Sequence, residues 1–281
     1  MWTIFERSDM SFIDEMTSVD PKHPPAAYIG GKRLLSKTIV EQINVVPHKR
    51  YCEPFVGMGG VFFRRNRIPR VEIINDWSGD IANLFRILQR HYPQFMDVMK
   101  YQLTSRREFE RLKTTDPATL TDLERAARFI YLQKAGFGGK VVGQSLGVQV
   151  DGAARFNLGR LSRVLEGVHE RLARVVIENL PWQTFIEKYD RIDTLFYIDP
   201  PYWGCEDHYG KDMFPRDQFV QMARCLEALQ GRFILSINDV PDIRQTFSGF
   251  SLQQVALRYT IKGGSGTHAR ELIVTGADRS D

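Results

Sequence analysis

One stretch of the chain joins a buried strand to side chains that could hold a planar, amino-bearing molecule. Residues 194–198 are apolar and aromatic, which is typical of a strand buried on both faces. Asp199, two prolines and Tyr202 follow, and the strand must end there because proline cannot donate to a sheet ladder. A carboxylate, an uncommitted carbonyl group and an aromatic ring are therefore expected where α/β sheets bind ligands. For so short a motif, an ordinary proline-rich turn is the alternative.

A second group of residues has the spacing of a nucleoside-binding turn. A short strand runs into the glycine-rich turn at residues 57–60, and a helix is expected from Val61. The next strand, residues 71–75, ends at Asp76, about 20 residues past the glycines, where a carboxylate can reach ribose hydroxyls. The third glycine of the dinucleotide fingerprint is missing, so a nucleoside without a pyrophosphate fits better than NAD. Asp76 could instead complement the dipole of the helix that follows it.

A third motif places Tyr28, two glycines and Lys32 before a helical stretch at residues 34–43. Two glycines before a helix allow the backbone to approach a ligand closely, and the helix N-terminus favours negative charge. Lys32 could meet a carboxylate there. Taken alone, the two glycines are more often a simple turn.

Composition sets the limits on the class of protein. The chain has 281 residues, a net charge of +4 and three cysteines without metal-ligand spacing. We expect a cytoplasmic protein with no disulfide bonds and no metal. No signal peptide or membrane-spanning segment is expected, because no apolar run is long enough to cross a bilayer.

The order of elements predicts an α/β fold with a Rossmann-like sheet of about seven strands, the last two paired as a hairpin. We expect an N-terminal arm at 1–25 and a sheet domain formed by 26–91 and 174–281. Between them, 92–173 reads as an inserted, mainly helical domain. Its segment 125–163 carries seven Lys or Arg and one acid, which is typical of a phosphate-contacting surface, although a solvated face is equally compatible.

Two local features of the insertion are predicted in more detail. Thr121 and Glu124 form a capping box that opens a helix through Gln133. Residues 135–157 are rich in Gly, Gln and Val and have few acids. They are expected to form a hairpin or a mobile loop that carries basic and aromatic side chains.

With these residues in hand, the chain closely resembles the Dam-type (D12 class) DNA adenine N6-methyltransferases, particularly the phage and prophage members. Three motifs carry the resemblance: Tyr-Ile-Gly-Gly-Lys at 28–32, Glu-Pro-Phe-Val-Gly-Met-Gly-Gly at 53–60 and Asp-Pro-Pro-Tyr at 199–202. Their order is that of the family, and the resemblance spans about residues 26–276. The combination is far more specific than any single motif.

The resemblance implies S-adenosylmethionine as the methyl donor and a methyltransferase sheet with a target-recognition insertion at 92–173. It implies that Lys32 lies near the methionine carboxylate, that Asp76 takes the ribose hydroxyls and that Trp77 lies by the adenine ring. The full set of cofactor contacts implied in this way is Tyr28, Lys32, Phe55, Gly57, Asp76, Trp77 and Asp199.

The catalytic residues expected for such a reaction are Asp199, Pro200 and Tyr202. Asp199 and the carbonyl of Pro200 can each accept one N–H of an adenine amine, which frees the nitrogen lone pair for attack. The base must first be flipped out of duplex DNA, and Tyr202 offers a stacking face. The expected partner is therefore double-stranded DNA.

Contacts to DNA are expected from four residues of the insertion: Lys134, Phe137, Lys140 and Arg155. The lysines and the arginine would meet phosphates, while Phe137 could wedge into the base stack or anchor its own loop. Family members related to the bacterial GATC enzymes have a recognition hairpin rich in Arg and Asn. Residues 133–140 depart from that pattern, so the recognition sequence cannot be inherited.

Three rival functions remain open from the sequence. An RNA adenine N6-methyltransferase would use the same chemistry, although the motif order and the large insertion favour DNA. A protein-glutamine methyltransferase would usually carry Asn in place of Asp199. A catalytically idle DNA-binding protein on the same fold is disfavoured by the intact acid and aromatic residue.

Overall fold

The computed structural model describes residues 16–28, 30–141, 143–148, 154–204, 214–259 and 267–276. The first fifteen residues of the expected N-terminal arm lie outside the described residues, as do 149–153 of the expected hairpin loop.

The strands and helices follow the predicted alternation. The strands are β1 (Thr17–Ser18), β2 (Arg50–Glu53), β3 (Arg67–Ile68), β4 (Val71–Asn75), β5 (Val175–Glu178), β6 (Thr194–Ile198), β7 (Arg232–Asn238), β8 (Ser251–Tyr259) and β9 (Thr267–Thr275). The helices are α1 (Ser36–Val45), α2 (Gly79–Arg90), α3 (Tyr92–Met99), α4 (Arg106–Thr114), α5 (Asp122–Ala135), α6 (Leu158–Leu172), α7 (Trp182–Tyr189), α8 (Asp217–Glu227) and α9 (Pro241–Thr246).

Seven of the described strands form one mixed sheet in the order β5-β4-β2-β6-β7-β9-β8. β2, β4, β5, β6 and β7 are parallel, whereas β9 runs antiparallel to both β7 and β8. The expectation of a seven-stranded, Rossmann-like α/β sheet is confirmed, and so is the hairpin of its last two strands. The parallel strands place the ends of β2, β4 and β6 at one edge of the sheet.

The central strand β6 is buried along its whole length. Leu195 and Tyr197 belong to the hydrophobic core on one face of the sheet, and Phe196 and Ile198 to the core on the other. This alternation is the period of two that a strand imposes. A rigid, doubly covered strand therefore leads directly to Asp199.

The prediction of a helix from Val61 is wrong. The chain forms only a short 3-10 turn, Phe62–Arg64, and then returns to the sheet through β3. Arg65, which follows the turn, is fully buried. Its guanidinium donates to Glu72 at 2.6 Å and lies 3.5 Å from the centre of the Tyr51 ring. A longer helix would carry this buried cation away from the carboxylate that pairs with it.

The helices of residues 92–172 pack on the sheet domain rather than standing apart from it. The capping box of Thr121 and Glu124 is confirmed at the start of α5. Phe129 and Ile130 of that helix lie in the same hydrophobic core as Leu84 of α2. At the end of α6, both terminal nitrogens of the Arg171 guanidinium donate to the Glu72 carboxylate at 2.6 Å, where Arg65 also binds.

The described part of the N-terminal arm is docked. β1 pairs antiparallel with β3, and the Lys22 ammonium lies 3.2 Å from the Glu170 carboxylate of α6. Residues 16–25 therefore contact both the sheet domain and the last helix of the insertion.

Candidate active site

A cavity of about 670 Å³ opens at the carboxyl edge of the parallel strands. Its size lies in the range of small-molecule sites in proteins. The ends of β2, β4 and β6 contribute to its wall, together with the segment before α1. All the residues that the resemblance assigned to a cofactor line it: Tyr28, Lys32, Phe55, Gly57, Asp76, Trp77 and Asp199.

The carboxylate of Asp76 holds the glycine-rich turn in place. It accepts one hydrogen bond from the backbone N–H of Gly57 and one from that of Ser78, each at 2.9 Å. Gly57 has a positive φ of 51°, which favours glycine. Burial raises the pKa of Asp76 to about 6, and the two backbone hydrogen bonds oppose that rise. The side chain is thus a preoriented acceptor on the cavity wall that is largely ionised at neutral pH.

Aromatic rings line the same cavity as this carboxylate. Trp77 is 51% exposed, and its backbone carbonyl accepts from the Asn179 amide. A Cβ atom on Gly57 would lie 3.2 Å from the Tyr28 ring, so the turn and that ring are in close contact. Phe55 packs edge-to-face on Phe214, with ring centroids 5.8 Å apart. The wall therefore combines an acidic acceptor with flat apolar surfaces.

Asn75 fixes the relative positions of the strand ends, a role that was not predicted from the sequence. Its side-chain amide donates to the carbonyl groups of Pro54 and Leu180 and accepts from the backbone N–H of Leu180. A buried Asn at the end of an apolar strand is the signal that could have revealed it, because a buried amide needs partners.

At the end of β6, Asp199 lies in a cluster of charged and phenolic groups. The Lys32 ammonium is 2.5 Å from the Asp199 carboxylate and donates to the Tyr202 hydroxyl at 2.7 Å. It also donates to the carbonyl of Gly30 at 3.2 Å. A second carboxylate, that of Glu271, lies 3.9 Å from the same ammonium. Lys32 is almost fully buried, whereas a fifth of the Asp199 side chain remains accessible from the cavity that it lines.

Opposing effects set the charge of Asp199. Burial raises its pKa to about 6, Lys32 lowers it and the nearby Glu271 raises it. The group is therefore mostly ionised at pH 7. Asp199 also accepts a hydrogen bond from Ser236 at 3.4 Å, and Ser236 in turn is 2.8 Å from the Tyr197 hydroxyl.

The backbone of the proline-rich turn is held from β7. The Asn238 side chain accepts from the N–H of Trp203 at 2.9 Å and donates to its carbonyl at 3.0 Å. Among the described residues, no donor is bonded to the carbonyl of Pro200. The turn is thus rigid and keeps the acceptor that the sequence predicted. The Trp203 ring packs on Phe219, with ring centroids 5.2 Å apart.

Ser236, Asn238 and Glu271 belong to this site, although the sequence analysis did not single them out. Their signal is faint: Ser236 and Asn238 are polar residues of the mostly apolar β7, and Glu271 lies in β9 among several other polar residues. Only the pairing of β6 with β7 and of β7 with β9 brings them to Asp199.

The four residues expected to contact DNA occupy different environments. Lys134 lines the cavity, where burial lowers its pKa. Phe137 is 59% exposed, and the Arg155 guanidinium lies 5.0 Å from the centre of its ring. Arg155 also donates to the carbonyl of Gly136 at 3.4 Å, so it supports the loop. Lys140 is exposed.

The loop between α5 and α6 touches the segment before α1. Gly139 has a positive φ of 68°. A Cβ atom there would lie 3.0 Å from backbone atoms of Ala27 and Tyr28, whereas one on Gly138, with a φ of 76°, would meet nothing within 4 Å. The loop that carries the expected DNA contacts therefore packs on the backbone that presents the Tyr28 ring to the cavity.

Comparison with known proteins decides the family. The family model of the D12 class N6 adenine-specific DNA methyltransferases matches residues 28–261. The chain belongs to this family. The three sequence motifs at 28–32, 53–60 and 199–202 all lie within the matched range, so the enzyme is an adenine-N6 DNA methyltransferase, as the sequence predicted.

Two curated relatives are type II methyltransferases. M.CviBI of Paramecium bursaria Chlorella virus NC1A is 21% identical over 227 residues, which cover 80% of this chain and 86% of that protein. M1.LlaDCHI of Lactococcus lactis subsp. cremoris is 24% identical over 279 residues, which cover 90% and 94%. The match to a crystal structure of a candidate RNA methyltransferase from Pyrococcus horikoshii covers 99% of this chain and 100% of that one, at 8% identity and with a TM-score of 0.37. A likeness this low has no bearing on function.

None of the described helices of this methyltransferase is long and apolar enough to cross a membrane. Within the same residues, no group of three or more His, Cys, Asp or Glu side chains has the arrangement of a metal site.

Proposed function

We propose that the protein transfers a methyl group from S-adenosylmethionine to the N6 amine of an adenine flipped out of double-stranded DNA. The observation that carries the proposal is that one cavity is lined by both Asp76 and Asp199. The Asp76 carboxylate could bind the ribose of a nucleoside, and the Asp199 carboxylate could accept from an amine. The donor and the acceptor of the methyl group would then meet between them.

The cavity wall fits a nucleoside with an amino-acid tail. Asp76 ends β4 beside a glycine turn, the arrangement in which a carboxylate accepts from a ribose diol. The exposed Trp77 and the rings of Tyr28 and Phe55 offer apolar surface to an adenine. Lys32 supplies a buried positive charge on the same wall for the methionine carboxylate. When bound, S-adenosylmethionine would supply the methyl group on a sulfonium centre.

Asp199 and Pro200 activate the substrate amine. The lone pair of an adenine amine is delocalised into the ring, so the amine is a poor nucleophile. Asp199 is mostly ionised at pH 7, and with the Pro200 carbonyl it gives two acceptors for the two N–H groups. These bonds favour a pyramidal nitrogen and stabilise the positive charge that develops on it. The rigid turn also positions the amine for transfer, which supplies the rest of the rate acceleration.

Tyr202 gives the flipped base a surface on which to stack. Its ring is half-buried, and its hydroxyl is held by Lys32. Stacking on an aromatic ring stabilises a base by about 1–3 kcal/mol, which offsets much of the cost of unstacking it.

Residues 92–173 act as the target-recognition insertion in this proposal. Lys134, Lys140 and Arg155 meet phosphates, and the exposed Phe137 ring meets the base stack. None of the described residues accepts a hydrogen bond from Lys134, which leaves its ammonium available to an anion. The type II relatives support a role in marking DNA against restriction.

The test is to incubate the purified protein with labelled S-adenosylmethionine and duplex DNA, then digest the DNA and quantify N6-methyladenine. We expect methyl groups on adenine, and a loss of at least about a hundredfold in Asp199→Ala. A matched RNA in a parallel reaction should remain unmethylated. If Asp199→Ala transfers as well as the wild type, the proposed role of the turn is wrong.

A further inference from the structure

Glu271 is a buried carboxylate at the edge of the active site with no role in the mechanism described so far. It lies on β9, opposite Asn238 of β7, and is 3% exposed. Its carboxylate is 3.9 Å from the Lys32 ammonium, which also donates to the Tyr202 hydroxyl. Burying a carboxylate is costly unless its partners require it, so its place beside Lys32 and Tyr202 needs a reason.

The first consequence concerns the orientation of the Tyr202 ring. Its hydroxyl oxygen accepts from Lys32 at 2.7 Å, and the Glu271 carboxylate, which lies 3.9 Å from the same ammonium, is placed to accept the proton of that hydroxyl. A hydroxyl that accepts one hydrogen bond and donates another in fixed directions cannot rotate freely. The Lys32 ammonium also lies 4.5 Å from the centre of the ring. Glu271 therefore helps to hold the surface on which the flipped base would stack.

The second consequence concerns charge. One ammonium, that of Lys32, faces two carboxylates, at 2.5 Å from Asp199 and 3.9 Å from Glu271. With both carboxylates ionised, the cluster keeps a net negative charge. Without the charge of Glu271, Asp199 would be the one carboxylate of the described residues that pairs with this ammonium, and Lys32 would compete more strongly with the substrate amine for its oxygens. Glu271 thus weakens the hold of Lys32 on Asp199.

We propose that Glu271 is a positioning residue for methyl transfer: it orients Tyr202 and shares the Lys32 ammonium, so that Asp199 can accept from the substrate amine. This inference rests on the proposed function of Asp199. Glu271 acts through Tyr202 and Lys32 and does not touch the reacting atoms.

A second cluster of the same chemistry provides a matched control. Glu178, at the end of β5, binds the Lys188 ammonium at 2.7 Å and accepts from the Tyr189 hydroxyl. It does not line the cavity. Glu178→Gln removes a carboxylate from a Glu-Lys-Tyr cluster just as Glu271→Gln does, but outside the active site.

The main experiment measures the rate of a single methyl transfer on duplex DNA, with saturating S-adenosylmethionine, in the wild type, Glu271→Gln and Glu178→Gln. Gln keeps the shape of Glu and an acceptor for Tyr202, but it removes the charge. We expect the rate to fall about tenfold or more in Glu271→Gln. The rate of Glu178→Gln should stay within about twofold of the wild type.

The pH profile separates positioning from a merely structural role. Lys32, Glu53, Tyr197, Tyr202 and Glu271 all face Asp199 from the surrounding elements. The negative charge of Glu271 raises the pKa of Asp199. Its removal should therefore move the acidic limb of the rate profile to lower pH, whereas a loss of folded protein would lower the whole profile without moving that limb.

Tyr202→Phe keeps the inference testable if Glu271→Gln does not fold. This variant removes the hydroxyl that Glu271 holds and keeps the ring. A wild-type rate in Tyr202→Phe would overturn the orienting role. The sharing of Lys32 would be overturned by a wild-type rate and an unmoved acidic limb in folded Glu271→Gln. Either result, with Asp199→Ala inactive, leaves the proposed function standing, whereas an active Asp199→Ala refutes the proposed function itself.

Discussion

Replacing Asp76 by Asn should weaken the binding of S-adenosylmethionine while leaving the fold nearly as stable as before. The carboxylate accepts one hydrogen bond on each oxygen, from the backbone N–H groups of Gly57 and Ser78 at 2.9 Å. Asn offers only one oxygen, so its NH₂ group would face a backbone donor. Leaving that donor without an acceptor costs about 1–3 kcal/mol.

A second effect on stability opposes the first. The rise in the pKa of Asp76 from 3.8 to about 6 means that the ionised form is disfavoured by roughly 3 kcal/mol. Asn has no charge to desolvate, so this cost disappears. The two effects are of similar size and opposite sign, and we expect the free energy of unfolding to change by less than about 2 kcal/mol at pH 7.

Cofactor affinity has no such compensation. A hydroxyl bound to a carboxylate contributes about 1.5–3 kcal/mol, so Asp76→Asn should raise the Kd for S-adenosylmethionine about 10- to 100-fold. Isothermal titration calorimetry measures this change, and chemical denaturation measures the stability. Affinity of the wild type should also fall as the pH drops through about 6, because Asp76 becomes protonated there, and Asp76→Asn should lack this dependence.

The matched control for this experiment is Asp80→Asn. Asp80 lies in the first turn of the same helix, α2, and pairs with Arg125 at 2.5 Å, but it does not line the cavity. Its substitution should leave cofactor affinity unchanged. A Kd within about twofold of the wild type in Asp76→Asn would show that this carboxylate does not hold the ribose.

Three further predictions concern stability, the loop and DNA. Burial raises the pKa of Glu53 from 4.5 to about 8, so the folded state keeps a proton that the unfolded state loses. The free energy of unfolding of the wild type should therefore fall as pH rises from 4.5 to 8, by as much as roughly 5 kcal/mol. Denaturation curves at pH 6 and 9 should show that Glu53→Gln lacks this loss; parallel curves for the two proteins would contradict the assignment. Gly139→Ala should weaken S-adenosylmethionine binding in calorimetry more than Gly138→Ala does. Both glycines have a positive φ, but only a Cβ atom at position 139 would press on the Tyr28 backbone. Equal effects of the two variants would argue against a link between this loop and the cofactor site. Lys140→Ala should weaken DNA binding on every duplex sequence and reduce the slope of log K against log salt by about 0.9 in titrations at several salt concentrations; an unchanged slope would exclude a phosphate contact.

Much of the sheet could be predicted because its strands are short apolar runs that end at polar or glycine residues. β4 and β6 have the predicted bounds. Asp76 and Asp199 could be found because each directly follows such a strand, and parallel strands bring their carboxyl ends to one edge. The local sequence was therefore enough to predict those site residues whose position is set by the end of their own strand.

The rest depends on contacts between distant segments. The turn after Val61 is short because Arg65 must reach Glu72, which no local pattern shows. Ser236 and Glu271 join the site only through the pairing of β7 with β6 and β9. The phosphate contact expected of Lys134 stays a prediction, but its place on the cavity wall could not be predicted, because it depends on the packing of α5.

If Glu271 holds Tyr202 as proposed, the position of β9 also sets when the enzyme becomes active. β9 follows β8 in the chain but lies between β7 and β8 in the sheet, so β8 cannot join the sheet before β9 has been synthesised. The carboxylate of Glu271 consequently reaches Lys32 across almost the whole described chain. Contacts of such long sequence separation form late in folding. A growing chain on the ribosome would carry its cofactor turn and its proline-rich turn long before it could hold Tyr202 in place, and methylation would begin only with the completed sheet.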